Sequence, residues 1–226
     1  MRILAGADFH GSLDHYRWFL GRARDLAADA LILAGDLFGF ADEVDDPEED
    51  QRRNAAQVES LLQTCEIPIL FIMGNDDLFD VEDSWLGSTS LQGRRVECGS
   101  YGFVGYQYSL PWMGGPFEKP ETEIGTDLEE IEPLVDDMTV LVTHSPAYGV
   151  LDPGSGPYKI GSRSLKELID QRSPLAHIHG HSHSGFGRNG RHFNVALALR
   201  KRAMLIDLVT LNHSVEDEGQ SLSSPY

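Results

Sequence analysis

Seven side chains that can bind divalent metal ions stand in five short motifs of the sequence. They are Asp8, His10, Asp36, Asn75, His144, His181 and His183. Oxygen ligands mixed with imidazole suit Mn, Fe, Zn or Co better than copper or an iron–sulfur cluster. Two such ions about 3.5–4 Å apart can hold the attacking and leaving oxygens of an in-line phosphoryl displacement, and they lower the pKa of a bridging water. The residue types therefore indicate phosphoryl chemistry at a metal pair.

A buried strand is predicted immediately before each of these motifs. The five apolar runs cover residues 2–7, 30–34, 68–73, 139–143 and 175–179. Continuous runs of this length are typical of strands buried on both faces. Active-site residues in α/β folds collect at the carboxyl ends of such strands. Each motif alone is weak evidence, because a strand-end Asp more often caps the next helix. Together, the five motifs predict one shared site.

Three helices are predicted between the strands. Residues 16–27 carry apolar side chains at helical spacing, residues 50–64 carry a shorter apolar stripe, and the capping box Ser164-x-x-Glu167 predicts the start of a third helix. This alternation predicts a fold of the α/β (α+β) class. Later strands are predicted at residues 94–98, 102–106, 192–198 and 203–210. They either form a second sheet or complete the first.

A single domain is predicted over residues 1–211, followed by a polar, mobile tail over residues 212–226. Residues 41–50, which include seven carboxylates, and residues 109–133, which mix Pro, Gly and acids, are predicted to be surface loops. The sequence contains no signal-peptide pattern and no apolar run of the about 18 residues that a membrane span requires. We therefore expect a cytoplasmic protein with no membrane partner, in which Cys65 and Cys98 stay reduced.

The charge balance is strongly acidic. The 226 residues include 18 basic and 36 acidic side chains, which gives a formal net charge of −18. Such a surface repels the phosphate backbone of nucleic acids, so a small phosphoester is the expected substrate and nucleic acid is not an expected partner. The sequence does not exclude a homodimer, and symmetric dimers are common among small enzymes.

The ordered set of motifs D-x-H, G-D, G-N-x-D, H and G-H-x-H resembles that of the calcineurin-like metallophosphoesterases. The resemblance runs from Asp8 to His183. It implies two packed mixed β-sheets flanked by helices, in a four-layer sandwich with the metals at one edge. That fold modifies the simpler α/β interpretation, which does not separate two sheets.

The resemblance also implies a set of ligands. One metal would be bound by Asp8, His10, Asp36 and His183, and the second by Asp36, Asn75, His144 and His181, with Asp36 bridging. Two Mn²⁺ ions are expected, with Fe, Zn, Co or Ni as alternatives. The residues expected to take part in catalysis are Asp36, Asn75, Asp76 and His144.

The implied function is hydrolysis of a phosphodiester or phosphomonoester by a metal-bridging hydroxide. The segments THSPAYGVLD, GSRSLKELI and HIHGHSH are similar to small prokaryotic phosphoesterases and their cyclic-nucleotide phosphodiesterase relatives, which favours a diesterase acting on a small molecule or nucleotide. The alternatives are a nuclease of the same fold, which the acidic charge disfavours, and a non-catalytic scaffold, which the complete set of seven ligand side chains disfavours.

The third motif departs from the family pattern. Many members have His after the Asn, where it is proposed to protonate the leaving group, whereas this chain has Asp76. Three roles of Asp76 are open. It could be a general acid with a raised pKa, or it could bind a sugar hydroxyl or a third cation. In the third alternative the enzyme needs no acid at this position, because its substrates have good leaving groups. We favour the last alternative. Asp77 is expected to orient the loop.

Five further residues require a choice between two roles. His177 is interpreted as a buried strand histidine, and His179 as a residue that orients a ligand from behind. Arg163 could bind a second phosphate, although a solvated loop charge is the simpler interpretation. Trp112 and Phe117 could stack on a base or aryl group, or could anchor their loop on the core.

Overall fold

The computed structural model describes residues 1–39, 44–81, 85, 87–153, 159–197 and 200–218. Its strands are β1 (Arg2–Gly6), β2 (Ala30–Ala34), β3 (Ile69–Ile72), β4 (Ser88–Ser90), β5 (Arg95–Cys98), β6 (Tyr101–Tyr106), β7 (Thr139–Thr143), β8 (Ala176–His179), β9 (Gly187–Asn189), β10 (His192–Asn194), β11 (Arg202–Asp207) and β12 (His213–Asp217). Its α-helices are α1 (Leu13–Asp25), α2 (Pro47–Leu62), α3 (Glu121–Ile131) and α4 (Arg163–Arg172). None of the described helices is both long and apolar enough to cross a membrane.

The strands form two mixed sheets of six strands each. The first has the order β12-β11-β1-β2-β3-β4, and the second has the order β5-β6-β7-β8-β10-β9. Within the first sheet, β1 to β4 are parallel and β11 pairs antiparallel with β1. Within the second, β6, β7, β8 and β10 are parallel. Both alternatives predicted for the later strands occur, because β11 and β12 complete the first sheet and β5 to β10 form a second one.

Alternating side chains along the strands build a four-layer sandwich. Ile3 on β1 packs between the two sheets with Phe103 of the second sheet, whereas its neighbour Leu4 packs on the opposite face with α1 and α2. On the outer face of the second sheet, Val104 packs with Ile124 of α3 and with α4. The prediction of two packed mixed sheets flanked by helices is confirmed.

Three predicted boundaries are wrong. Residues 121–131 of the predicted loop 109–133 form helix α3, whose stripe of Ile124, Leu128 and Ile131 is buried. Helix α4 begins at Arg163 and is capped by the Ser162 hydroxyl, not by Ser164. In the acidic segment, residues 47–50 are the first turn of α2, because carboxylates near a helix N-terminus are stabilised by the helix dipole. Part of segment 41–50 lies outside the described residues.

The predicted start of the tail at residue 212 is also wrong. Residues 213–217 form β12, which pairs with β11 in the register Arg202↔Asp217 to Ile206↔His213. A polar strand at a sheet edge needs few apolar residues, so composition alone does not reveal it. Residues 219–226 lie outside the described part of the chain.

His177 is a buried strand histidine, as predicted, and its hydrogen bonds define its tautomer. The Thr143 hydroxyl donates its one proton to the Ser145 carbonyl oxygen (2.6 Å), so it accepts from His177 Nε2 at 2.8 Å. The bare Nδ1 of His177 then accepts from Nδ1 of His192 at 2.9 Å. Burial lowers the pKa of His177 well below its usual value, and burial together with Lys166 lowers the pKa of His192 to about 4. This chain of bonds requires a neutral His177 ring.

Neutral His177 makes the protein sensitive to acid. Because its pKa is lower in the folded than in the unfolded state, the unfolded chain takes up the extra proton and stability falls as pH drops below about 6.5, by up to about 1.4 kcal/mol per pH unit for this one group. We expect His177→Gln to flatten the dependence of the unfolding free energy on pH between about 7 and 5.5, measured by urea denaturation.

The matched control is His213→Gln, on exposed β12, where burial lowers the histidine pKa less severely. This variant should keep a pH dependence close to that of the wild type. Equal slopes in wild type and His177→Gln would contradict the assignment of a neutral, buried His177.

Candidate metal centre

The seven predicted ligand residues all follow strands whose carboxyl ends meet at one edge of the sandwich. Asp8 and His10 follow β1, Asp36 follows β2 and Asn75 follows β3 in the first sheet. In the second sheet, His144 follows β7, and His181 and His183 follow β8. Because β1, β2 and β3 are neighbours, as are β7 and β8, the two sheets present their ligand-type side chains to each other.

The side chains meet in groups close enough to share a cation. One ligand atom each from Asp8, His10 and His183 lie within 4.8 Å of one another. The same holds for the second group, formed by Asp36, His144 and His181. The amide oxygen of Asn75 lies 3.0 Å from Nε2 of His144, which places it with the second group. All seven residues therefore converge.

Four of these residues have an unusual backbone conformation. Asp8, His10, Asp36 and His181 have φ angles of 59°, 42°, 51° and 62°. This left-handed region is sparsely populated by residues other than glycine and costs on the order of 1–3 kcal/mol for each residue. The chain therefore turns sharply after β1, β2 and β8, and these turns direct side chains from separate strands to one point.

The site is a strongly negative environment. Asp8 and Asp36 are buried, and the described residues that line the adjoining cavity include no Lys or Arg. Burial by itself lowers the pKa of His144, but the adjacent Asp36 carboxylate raises it to about 10. Burial lowers the pKa of His181 to about 4, so its ring is neutral and keeps a lone pair. Buried carboxylates beside imidazole fit a pair of divalent cations.

The loop after β3 approaches Asp36 so closely that only glycine fits at position 74. A Cβ atom on Gly74 would lie 2.2 Å from Oδ1 of Asp36. The same carboxylate oxygen accepts a hydrogen bond from the backbone N–H of Asp76 at 2.9 Å. The glycine of the G-N-x-D motif thus sets the distance between the loops after β2 and β3.

Asp77 holds those two loops together, which confirms its predicted role. Its carboxylate accepts hydrogen bonds from the backbone N–H groups of Leu37 (2.9 Å), Phe38 (2.9 Å) and Gly74 (2.8 Å). Burial and the nearby Asp36 raise the pKa of Asp77 to about 8, although these three donors favour the charged form.

Asp76 lies between the two groups and contacts both. Its Oδ1 accepts a hydrogen bond from the amide nitrogen of Asn75 at 2.6 Å, and its Oδ2 lies 3.5 Å from Nδ1 of His10. Burial and the Asp36 charge raise the pKa of Asp76. The Asn75 NH₂ group is thus directed at Asp76. That orientation leaves the Asn75 amide oxygen beside His144.

A cavity of about 540 Å³ opens next to the site. It is lined by Asp36, Asn75, Asp76, Trp112, Met113, Ile160, His181, Ser182, His183 and Ser184. Phe117 is a buried anchor beside Tyr108, so of the two aromatic candidates only Trp112 lines the cavity. The guanidinium of Arg163 lies 3.7 Å from the centre of the Tyr148 ring, and neither Arg163 nor Lys159 lines the cavity.

His179 differs from its predicted role as a residue that orients a ligand from behind. Its Nδ1 lies 3.2 Å from the Gly180 carbonyl oxygen, a group of the loop that leads to His181. The contact of His179 is therefore with the backbone of the loop and not with a ligand ring.

Known proteins share this fold. The family model described as Calcineurin-like phosphoesterase matches residues 1–185. A stretch of 99 residues is 33% identical to UPF0046 protein K07C11.7 of Caenorhabditis elegans, and this match covers 44% of the chain and 33% of that protein's length. TT1561 of Thermus thermophilus matches with a TM-score of 0.71 at 20% identity, covering 96% of this chain and 98% of that chain. A dimetal phosphatase from Danio rerio (LOC 393393) matches with a TM-score of 0.56 at 13% identity, covering 91% of this chain and 95% of that chain.

Two positioning residues on α2 were missed from the sequence. Gln51 is fully buried, donates from Nε2 to the Asp76 carbonyl oxygen (2.8 Å) and accepts from the Leu78 N–H (2.6 Å). Asn54 donates to the Gly11 carbonyl oxygen (2.9 Å) and accepts from the Gly39 N–H (3.2 Å). Together they hold the loops after β1, β2 and β3. The sequence contains one indication of this role, because Gln51 is a polar residue at helical spacing from the buried apolar positions of α2.

Removing the Gln51 amide should loosen the loop that carries Asn75. Gln51→Leu has a similar volume but leaves two backbone groups without partners, each at a cost of about 1–3 kcal/mol. We therefore expect the unfolding free energy to fall by about 2–4 kcal/mol in urea denaturation. The control is Gln57→Leu, at an exposed position of the same helix. If both variants are equally stable, the loop does not depend on Gln51.

Proposed function

Because the chain belongs to the calcineurin-like phosphoesterase family, we propose that it hydrolyses phosphoesters at a pair of divalent metal ions. The observation that carries the proposal is the convergence of seven ligand-type side chains from five strand ends of two sheets. The proposed substrate is a small molecule or nucleotide. The proposed location is the cytoplasm, which the free thiols of Cys65 and Cys98 support.

The proposed ligand assignment follows the two groups of side chains. One ion would be held by Asp8, His10, Asp36 and His183, and the other by Asp36, Asn75, His144 and His181, with Mn²⁺ as the proposed metal. When bound, such a pair supplies Lewis acidity, which lowers the pKa of water and offsets the charge of a phosphoryl group. The ligand atoms of both groups lie close enough to support this assignment.

A backbone contact orients His144 for this role. Its Nδ1 lies 2.9 Å from the carbonyl oxygen of Ala34, and a carbonyl oxygen only accepts, so Nδ1 carries a proton. Nε2 faces the oxygens of Asn75 and Asp36 at 3.0 and 3.3 Å, so it also carries a proton in the metal-free site and would release that proton to a metal. This is the arrangement in which a histidine ligand is fixed from behind by a backbone oxygen.

Asp76 is proposed to position its neighbours and not to donate a proton to the leaving group. Both of its oxygens are engaged, one by the Asn75 amide and the other near His10. Without an acid at this place, esters with good leaving groups react best, and a diester is favoured over a monoester. A nuclease is disfavoured, because the net charge is −18 and the described cavity lining has no Lys or Arg. A scaffold without activity is disfavoured by the complete set of ligand side chains.

Asp36→Ala should abolish most activity. In assays with Mn²⁺ and para-nitrophenyl mono- and diesters, we expect kcat/KM to fall by more than the about 10–100-fold that loss of an outer-shell partner costs. Elemental analysis of the same protein should show less bound metal than the wild type. Asp170→Ala, an exposed carboxylate on α4, should keep both properties.

Two results would contradict the proposed function. One is full activity in Asp36→Ala. The other is a wild-type protein that hydrolyses neither kind of ester and holds less than one transition metal per chain after reconstitution, which is the behaviour of a scaffold.

The role of Asp76 can be tested with a series of esters of different leaving-group pKa. We expect the rate of the wild type to fall steeply as the leaving-group pKa rises, because no acid assists departure. Asp76→Asn should keep this slope, since an amide can still contact Asn75. Asp76→His should flatten it by introducing a proton donor. A flat dependence in the wild type that becomes steep in Asp76→Asn would identify Asp76 as a general acid.

A further inference from the structure

We propose that Trp112 and Met113 form an apolar ledge that binds an aromatic ring of the substrate, an aryl group or a nucleobase, beside the metal centre. The inference rests on the proposed function, because it names the substrate class of the same site. It assigns specificity to two side chains that lie outside the set of seven ligand residues.

Trp112 and Met113 are exposed to an unusual degree for large apolar side chains. Their exposed fractions are 72% and 74%, and both line the cavity that contains Asp36, Asn75 and His183. Burial of Trp and Met side chains away from water ordinarily lowers the free energy. Two adjacent ones left in water at the mouth of a polar site indicate a surface that is covered when a ligand is bound.

The loop that carries the ledge is built to hold its shape. One carboxylate, that of Glu118, accepts hydrogen bonds from the backbone N–H groups of Trp112 (2.8 Å), Met113 (2.9 Å) and Gly114 (2.8 Å). At the base of the loop, Ser109 N–H donates to the Phe117 carbonyl oxygen at 3.0 Å. A ledge ordered in advance loses little conformational entropy when a ring binds to it.

The ledge is also held against the metal centre. Gly115 approaches the loop after β3 so closely that a Cβ atom would lie 2.7 Å from the carbonyl oxygen of Asn75. The position of Trp112 and Met113 is therefore coupled through Gly115 to the backbone of a proposed metal ligand. A ring on the ledge would lie next to a phosphoryl group at the metals.

The rest of the cavity lining favours a ring over a second phosphate. Besides the proposed ligand residues and Asp76, the described lining consists of Trp112, Met113, Ile160 and two serines, with no Lys or Arg to pair with further anionic charge. An indole stacks on flat rings, and a thioether sulfur makes favourable contacts with them. The chemistry of this wall matches an aromatic ester group and would repel a polyphosphate chain.

Two phosphonates that differ only by a ring test the ledge directly. Phenylphosphonate and methylphosphonate carry the same anionic group and cannot be hydrolysed as esters, so their affinities for the Mn²⁺-loaded protein report binding alone. By isothermal titration calorimetry, we expect phenylphosphonate to bind the wild type about two- to tenfold more tightly, which is the range for one aromatic contact. Trp112→Ala should remove most of this preference and leave the affinity for methylphosphonate unchanged.

Two further variants sharpen the result. Trp112→Phe should retain part of the preference, because it keeps a ring on the ledge. Val209→Ala removes another exposed apolar side chain (72%), one that does not line the described cavity, and should change neither affinity. The ledge is overturned if the wild type binds both phosphonates equally, or if Trp112→Ala weakens both by the same factor. A wild type that prefers phenylphosphonate but hydrolyses no ester would overturn the proposed function and leave the ledge in place.

Discussion

The burial of two carboxylates where the sheets meet is the constraint on which the rest of the site depends. Asp8, from the first sheet, accepts a hydrogen bond from the backbone N–H of His181 (3.1 Å) and lies 3.0 Å from Nε2 of His183. Asp36, from the next strand, lies 3.3 Å from Nε2 of His144. A carboxylate is costly to bury without compensating charge. Asp8 and Asp36 therefore give the junction between the sheets a negative charge that attracts cations, and each carboxylate contacts a histidine of the second sheet.

Like charges and strained turns in such a site require that its loops be held in position. Four of the proposed ligand residues have a left-handed backbone, and an unconstrained chain would leave that conformation. For the loops after β1, β2 and β3, the restraint comes from polar side chains that bond to backbone groups. Asp77 ties the loop after β2 to the loop after β3, and Gln51 and Asn54 on α2 hold all three loops from the outside. These bonds have a positioning role, since they fix where the ligand atoms lie without contacting a substrate.

The sequence reveals the ligands more readily than the network that holds them. An apolar run followed by Asp or His is a local pattern, so the strand ends and the seven converging side chains were predictable. Gln51 bonds to residues 25 and 27 positions further along the chain, and no local pattern encodes such partners. Helix α3 was missed because its acids outnumber the Ile124–Leu128 stripe, and β12 was missed because a polar edge strand depends on pairing with β11.

In the proposed enzyme, discrimination between esters has to come from outside the seven proposed ligand residues. Asp, Asn and His side chains holding cations treat the phosphoryl group of most esters alike, because they act on the part that all esters share. What differs between substrates is the organic group, and in this chain that group would meet Trp112, Met113 and Ile160. The surrounding surface carries an excess of negative charge, with a net charge of −18 for the chain, so each additional phosphate on a substrate adds repulsion. The proposed substrate class, a compact ester with one phosphoryl group and a flat apolar ring, meets both conditions, whereas a polyanion is repelled by the surface charge.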